Sequence, residues 1–167
     1  MTPVLGRQVL DLISTSADQT RRLGMRLGRL LLSGDLICLE GPLGSGKTCL
    51  AQGIGQGLGV EEPIVSPTFT LIREYKSAEK RPPLYHVDFY RLEEAEEALA
   101  LGLEELLYGD GICVIEWAEK MQAILPQERL WITLRHLDET RRGLFMEASG
   151  PRYEELLREF KRVAFGV

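Results

Sequence analysis

Residues 36–48, Leu-Ile-Cys-Leu-Glu-Gly-Pro-Leu-Gly-Ser-Gly-Lys-Thr, decide the fold of this chain. Residues 36–39 form a continuous apolar run, which is typical of a strand buried on both faces of a sheet. A glycine-rich loop follows at 41–48, and a helical pattern over 47–58 ends at Gly59. A strand, a glycine-rich turn and a helix in immediate succession predict the first unit of an α/β fold.

The loop fits the pattern G-x-x-x-x-G-K-[ST] at every defined position. Glycines allow consecutive backbone N–H groups to face one concavity, and the following helix adds the positive end of its dipole. We expect Lys47 to reach the β- and γ-phosphates of a nucleoside triphosphate and the Thr48 hydroxyl to bind Mg²⁺. The residues predicted to contact the phosphates are Leu43, Gly44, Ser45, Gly46, Lys47 and Thr48.

Composition and charge narrow the class of protein. The chain has 167 residues, 44% of them apolar, and a formal charge of −5 from 20 Lys+Arg and 25 Asp+Glu. These values predict one domain over residues 1–167, with enough apolar material for a core. Because binding to nucleic acid depends on lysine and arginine, an acidic chain is a poor match for direct contact with DNA or tRNA.

Cysteine usage and hydropathy indicate a cytoplasmic protein. The three cysteines, Cys38, Cys49 and Cys113, form no C-x-x-C pair, so we expect neither a disulfide framework nor a zinc site. No apolar stretch approaches the ~18 residues of a membrane span. The first residues also lack a signal-peptide pattern.

Candidate strands and helices alternate along the chain. After an extended or irregular start at 1–15, Ser16 is a good N-cap for a first helix. The later candidate strands are 71–75, 84–88, 112–117, 129–134 and 143–147, and the later candidate helices are 93–107, interrupted at Gly102, and 152–163. Alternation of this kind predicts a three-layer α/β/α fold like that of P-loop NTPases. The hairpin formed by the last two strands makes a mainly parallel but mixed central sheet the best match.

Two carboxylates follow apolar runs and are candidates for the chemistry. Glu116 ends the most apolar strand, and Asp88 ends the run Tyr-His-Val-Asp. A phosphate-loop site requires at least one strand-end carboxylate to hold Mg²⁺, directly or through water. Either residue alone is also compatible with capping a neighbouring helix. As a pair, one is expected to bind the metal and the other to act on water, and spacing does not assign which.

Two further features are open to more than one interpretation. The hydroxyl-rich segment 66–70, Ser-Pro-Thr-Phe-Thr, fits a loop that responds to the γ-phosphate as well as it fits a plain turn. His86 lies on an apolar strand, where a histidine more often belongs to the core than to a catalytic site. His136 falls in a predicted loop.

Taken together, four motifs resemble a known family. These are the phosphate loop, S-P-T-F-T-L at 66–71, H-V-D-F-Y-R-L at 86–92 and I-E-W at 115–117. The chain resembles the TsaE family, formerly YjeE, of small bacterial ATPases that support threonylcarbamoyladenosine modification of tRNA. The resemblance extends from about residue 14 to residue 160.

The resemblance implies roles for individual residues and for partners. It implies ATP and Mg²⁺ as ligands, with Thr48 and Glu116 at the metal and Asp88 required for hydrolysis. Ser66 and Thr68 would belong to the nucleotide-responsive loop. The segments 16–20 and 117–119, with Ser16, Thr20, Trp117 and Glu119, would lie near the nucleoside. The family acts on a TsaD–TsaB assembly, so the resemblance implies that the protein contacts tRNA only indirectly. We also expect the protein to be a monomer.

Three alternative functions differ in their sequence requirements. A small-molecule kinase usually has an arginine-rich lid, and the loop at 76–83 is short for one. A guanine-specific switch requires Asn-Lys-x-Asp, yet the chain contains no asparagine. A nucleotide-switched binding module with negligible turnover fits best of the three, because no arginine finger is evident in the chain.

Overall fold

A computed structural model describes residues 8–67 and 71–166. The strands are β1 Val9–Ser14, β2 Leu36–Glu40, β3 Ile72–Tyr75, β4 Leu84–Asp88, β5 Ile112–Glu116, β6 Arg129–His136 and β7 Arg142–Ser149. The α-helices are α1 Ala17–Leu30, α2 Lys47–Gly57, α3 Ala95–Ala100, α4 Leu103–Leu107 and α5 Pro151–Phe165, and a 3₁₀ helix spans Ala118–Ile124.

The strands form one seven-stranded sheet in the order β1-β7-β6-β2-β5-β4-β3. The four central strands β6, β2, β5 and β4 are parallel, and the outer pairs β1/β7, β7/β6 and β3/β4 are antiparallel. The predicted mainly parallel, mixed sheet is therefore confirmed. In its register Glu116 pairs with both Leu39 and Asp88, so the carboxyl ends of β2, β5 and β4 meet at one edge.

Helices cover both faces of the sheet and bury two apolar clusters. Side chains of α1, α2 and α5, such as Leu27, Ile54 and Leu156, pack on one face. Side chains of α3, α4 and the 3₁₀ helix pack on the other, where Cys38 and Cys113 serve as small apolar groups. Adjacent residues of β2 alternate between the two clusters, as the pleat of a doubly covered strand requires.

Helices α1 and α2 are in unusually close backbone contact. At four glycines, an added Cβ would lie within 2.5 Å of a backbone carbonyl oxygen of the other helix. The four are Gly24 and Gly28 of α1 and Gly53 and Gly57 of α2. Because α2 begins at the last residues of the glycine-rich loop, this contact fixes the position of the loop relative to the rest of the fold.

Substitution of Gly53 with alanine is expected to destabilise the protein. Alanine improves helix propensity by about 1 kcal/mol, but its Cβ would lie 2.2 Å from the Arg21 carbonyl oxygen. Overpacking of this kind, against backbone that cannot rotate away, is expected to lower the free energy of unfolding by about 2 kcal/mol or more. Chemical denaturation measures the change. Gln56→Ala, an exposed position of the same helix, is the control, and equal stability of the two variants would contradict the close packing.

Two elements were absent from the sequence-based prediction. The segment predicted as extended or irregular contains strand β1, which pairs with β7 at the sheet edge. The stretch after Glu116 forms the 3₁₀ helix Ala118–Ile124. His136, predicted in a loop, is the last residue of β6.

Within the described ranges, the helices are too short or too polar to cross a membrane.

Candidate nucleotide-binding site

A cleft of about 410 Å³ opens at the carboxyl edge of the parallel strands. This volume is within the range of small-molecule sites. The predicted residues that line it are Leu43, Gly44, Gly46, Lys47, Thr48, Ser66, Asp88 and Glu116. The structure therefore brings together the phosphate loop, both candidate carboxylates and Ser66 of the 66–70 segment.

Three glycines of the loop, Gly41, Gly44 and Gly46, have a positive φ, and two of them show why glycine is required. Gly41 has φ 155°, and a Cβ there would lie 2.5 Å from the Leu134 carbonyl oxygen and 2.6 Å from Ser45 Oγ. Gly46 has φ 105° and is the N-cap of α2, a backbone conformation that side chains disfavour. These two residues turn the chain sharply enough for α2 to start at Lys47 with its N-terminus facing the cleft.

Lys47 is buried at the base of the loop, with 4% of its surface exposed. Its Nζ donates hydrogen bonds to the carbonyl oxygens of Gly41 and Pro42 and lies 4.0 Å from the centre of the Trp117 ring. Burial lowers the pKa of Lys47, and the nearby carboxylates of Glu116, Glu119 and Asp88 act in the opposite direction. A cation is thus held at the end of the cleft where the loop backbone converges.

Thr48 and Glu116 form the centre of a hydrogen-bonded chain. Thr48 Oγ1 donates to Glu116 Oε1 at 2.9 Å and lies 2.9 Å from Ser66 Oγ. The second carboxylate oxygen, Glu116 Oε2, accepts a hydrogen bond from His86 Nε2 at 2.6 Å. Since Glu116 is 2% exposed, its position is set by these few contacts.

Asp88 lies beside Glu116, at the end of the neighbouring strand β4. Its Oδ1 accepts the backbone N–H of Tyr90 at 2.8 Å. Burial raises the pKa of Asp88, the Tyr90 N–H opposes that rise, and the Glu116 carboxylate adds to it. His86 and Lys47 act to lower the same pKa. A carboxylate with a raised pKa is a better proton acceptor than an ordinary aspartate.

The donor set fits Mg²⁺ held jointly with phosphate and water. Hydroxyl and carboxylate oxygens are ligands that Mg²⁺ prefers, and the ion usually retains several waters. Within residues 8–67 and 71–166, no group of three or more His, Cys, Asp or Glu side chains is placed to hold a metal without other ligands. Ser45 Oγ is buried without a hydrogen-bond partner in the same part of the chain, so the loop retains capacity for a polar group.

Several predicted residues do not line the cleft. Ser16 caps α1 by accepting the N–H of Gln19, and Thr20 is buried against Ser14, with 2.7 Å between their hydroxyl oxygens. Glu119 lies in the 3₁₀ helix, where burial raises its pKa. The assignment of these residues to the nucleoside stays a prediction. Thr68 lies outside the described residues.

Sequence reasoning did not assign Tyr90 and Arg91 to the site, whereas Trp117 begins the segment 117–119 that the resemblance places near the nucleoside. Tyr90, Arg91 and Trp117 line the cleft, and the Trp117 backbone has a positive φ of 59°. The Tyr90 and Trp117 rings lie 4.9 Å apart. All three residues belong to the H-V-D-F-Y-R-L and I-E-W motifs, so the motifs themselves were the available signal.

The β6–β7 hairpin also reaches the loop. Arg142 Nε donates to the Gly44 carbonyl oxygen at 3.1 Å, and its Nη1 donates to the Asp138 carbonyl oxygen at 2.6 Å. Arg141 instead pairs with the Asp138 carboxylate at the hairpin tip. Arg142 therefore ties the phosphate loop to the β6–β7 hairpin.

A mixed α/β sheet with a G-x-x-x-x-G-K-T loop and two carboxylates at its carboxyl edge defines the class of phosphate-loop proteins. Within that class, the family model described as threonylcarbamoyl adenosine biosynthesis protein TsaE matches residues 14–144. The chain belongs to the TsaE family. This confirms the resemblance that the four sequence motifs indicated.

Individual relatives agree with this assignment. The chain is 39% identical to the tRNA threonylcarbamoyladenosine biosynthesis protein TsaE of Bacillus subtilis over 149 residues, 89% of this chain and 92% of the relative. It is 45% identical to the protein of that name from Treponema pallidum over 132 residues, 79% and 96% of the two chains. The crystal structure of YdiB from Bacillus subtilis has a TM-score of 0.79 at 35% identity, covering 94% of this chain and 97% of YdiB.

Proposed function

We propose that this protein binds ATP with Mg²⁺ and hydrolyses it in the cytoplasm, in support of the threonylcarbamoyladenosine modification of tRNA. Family membership supports the pathway. The observation that carries the nucleotide chemistry is the 2.9 Å hydrogen bond between Thr48 of the phosphate loop and Glu116 of the adjacent strand. It places a hydroxyl and a carboxylate together beside the buried Lys47 ammonium.

Each residue of the cleft has a separate task in this proposal. The loop N–H groups and Lys47 bind the phosphates, and Thr48 and Glu116 hold Mg²⁺, which when bound neutralises charge on the phosphate oxygens. Asp88, whose raised pKa suits it to accept a proton, orients the attacking water. Positioning and charge neutralisation account for most of the catalysis in phosphoryl transfer.

The proposed partners are the TsaD and TsaB proteins, with tRNA contacted only through them. The formal charge of −5 disfavours direct binding to RNA. Two exposed apolar side chains line the cleft: Leu43 is 82% exposed and Tyr90 is 52% exposed. Exposed apolar groups at the rim of a nucleotide site suit a protein surface better than a polyanion. We expect partners that bind at this rim to complete the catalytic site.

Hydrolysis by the purified protein, alone and with the TsaD–TsaB pair, tests the proposal. We expect slow turnover by the isolated chain and at least about tenfold stimulation by the pair, since a catalytic cation supplied by a partner is worth far more than that in related chemistry. Lys47→Ala is the blank. Vigorous turnover that is equal with and without partners would contradict the proposal and favour a small-molecule kinase. Tight ATP binding without turnover in either mixture would favour a nucleotide-switched binding module.

A further inference from the structure

His86 is a fully buried histidine that contacts the proposed metal-binding carboxylate through Nε2, while its Nδ1 has no hydrogen-bond partner among residues 8–67 and 71–166. Its ring and the Glu116 side chain are 1% and 3% exposed, and His86 Nε2 lies 2.6 Å from Glu116 Oε2. Because a carboxylate accepts hydrogen bonds, this contact requires the proton of the ring to be on Nε2. The two residues lie on adjacent parallel strands, β4 and β5.

We propose that His86 is a positioning residue that fixes the Glu116 carboxylate for metal binding. His86 donates to Glu116 Oε2 at 2.6 Å, and Thr48 Oγ1 lies 2.9 Å from Oε1 and 3.2 Å from Oε2. The shorter of the two contacts to Oε2 is therefore the one from His86, and without the ring the rotation about the last side-chain bond of Glu116 would be less restrained. This inference rests on the proposed function, because it concerns the residues assigned to Mg²⁺.

The backbone explains how His86 reaches this carboxylate. Asp88 is the register partner of Glu116, and His86 is two residues earlier on the same strand. Residues two apart on a strand point to the same face of the sheet, so His86 and Asp88 flank Glu116 from one strand. His86 donates a hydrogen bond to the carboxylate, and Asp88 lines the open cleft.

Replacing His86 with glutamine or with asparagine distinguishes a positioning role from a role in packing. The amide nitrogen of glutamine is as many bonds from Cα as Nε2 of histidine, whereas that of asparagine corresponds to Nδ1. His86→Gln can therefore restore the donor to Glu116, and His86→Asn cannot. His86→Leu removes all polar contact, and His136→Gln, an exposed histidine on β6, is the matched control.

The experiment measures ATP affinity by calorimetry, with Mg²⁺ and with EDTA, below the unfolding temperature of every variant. We expect His86→Asn and His86→Leu to weaken ATP binding about tenfold or more in Mg²⁺, as loss of a residue that orients a metal ligand does. In EDTA, all variants should bind ATP like the wild type. His86→Gln should recover most of the Mg²⁺-dependent affinity.

Two results would overturn the inference. The first is an equal loss of affinity with Mg²⁺ and with EDTA, with glutamine no better than asparagine, because that pattern indicates a role in packing only. The second is Mg²⁺-dependent affinity in His86→Leu equal to that of the wild type. Failure of the wild type to bind ATP in either buffer is a different outcome, since it refutes the proposed function and this inference with it.

Discussion

Lys47→Ala should reduce ATP affinity by about 100-fold or more while the protein stays folded. Removing one partner of a buried, charge-assisted hydrogen bond typically costs about 2–5 kcal/mol. Lys47 is 4% exposed and is the cation at the base of the loop, and alanine removes its charge from the cleft. Calorimetric titration with ATP and Mg²⁺ measures the loss.

Retained folding is part of this expected result. Burial lowers the pKa of Lys47, which shows that its charged form is disfavoured by the surrounding protein. Alanine removes that buried charge along with the contacts to Gly41 and Pro42. Circular dichroism should therefore show a folded variant. Lys76→Ala, at an exposed position before β4, is the control, and ATP binding by Lys47→Ala as tight as that by Lys76→Ala would refute the phosphate site.

Asp88→Asn should reduce partner-stimulated ATP hydrolysis by about 10²- to 10⁴-fold, the usual contribution of a general base. Asparagine keeps the oxygen that accepts the Tyr90 N–H but cannot accept a proton. ATP affinity should stay within a few-fold of the wild type, because Asp88 is not assigned to the phosphates. Hydrolysis at the normal rate within the TsaD–TsaB complex would exclude this role for Asp88.

The same substitution should stabilise the protein at neutral pH. The pKa of Asp88 is raised in the folded state, so the folded state binds this proton more tightly than the unfolded chain does. The contribution of Asp88 to stability is therefore greatest below the pKa that Asp88 has in the unfolded chain. It is lost as the pH rises through the pKa that Asp88 has in the folded state. Asp88→Asn should remove this loss and increase the free energy of unfolding by about 1 kcal/mol at neutral pH. Thermal denaturation at a series of pH values checks the sign, and a less stable Asp88→Asn protein at neutral pH would contradict it.

The central part of the fold follows from local sequence patterns, and the edges do not. The apolar runs of β2 and β5 are continuous because both faces of these strands are covered. Strand β1 includes the exposed Asp11 and pairs on one side only, so its sequence carries little strand signal. The 3₁₀ helix after Trp117 is short, and short helices leave no clear period in a sequence.

The site was predictable where the loop motif or the end of an apolar strand defines its residues. Lys47, Thr48 and the strand-end carboxylates lie where the loop pattern and the parallel sheet require them. The contact of His86 with Glu116 joins residues 30 positions apart and depends on strand order, which spacing along the chain does not reveal. The nucleoside role of Ser16 and Thr20 rests on loosely patterned positions of the family. Their hydroxyls instead make hydrogen bonds to Gln19 and Ser14.

The glycine contacts between α1 and α2 also have a mechanical consequence. Helices separated by side chains can slide, because rotamer changes absorb small shifts. At Gly28 and Gly53 the two backbones meet with no room for even a methyl group between them. We therefore expect the two helices to move as one stiff body, so that a displacement at Lys47, where α2 starts, also displaces α1.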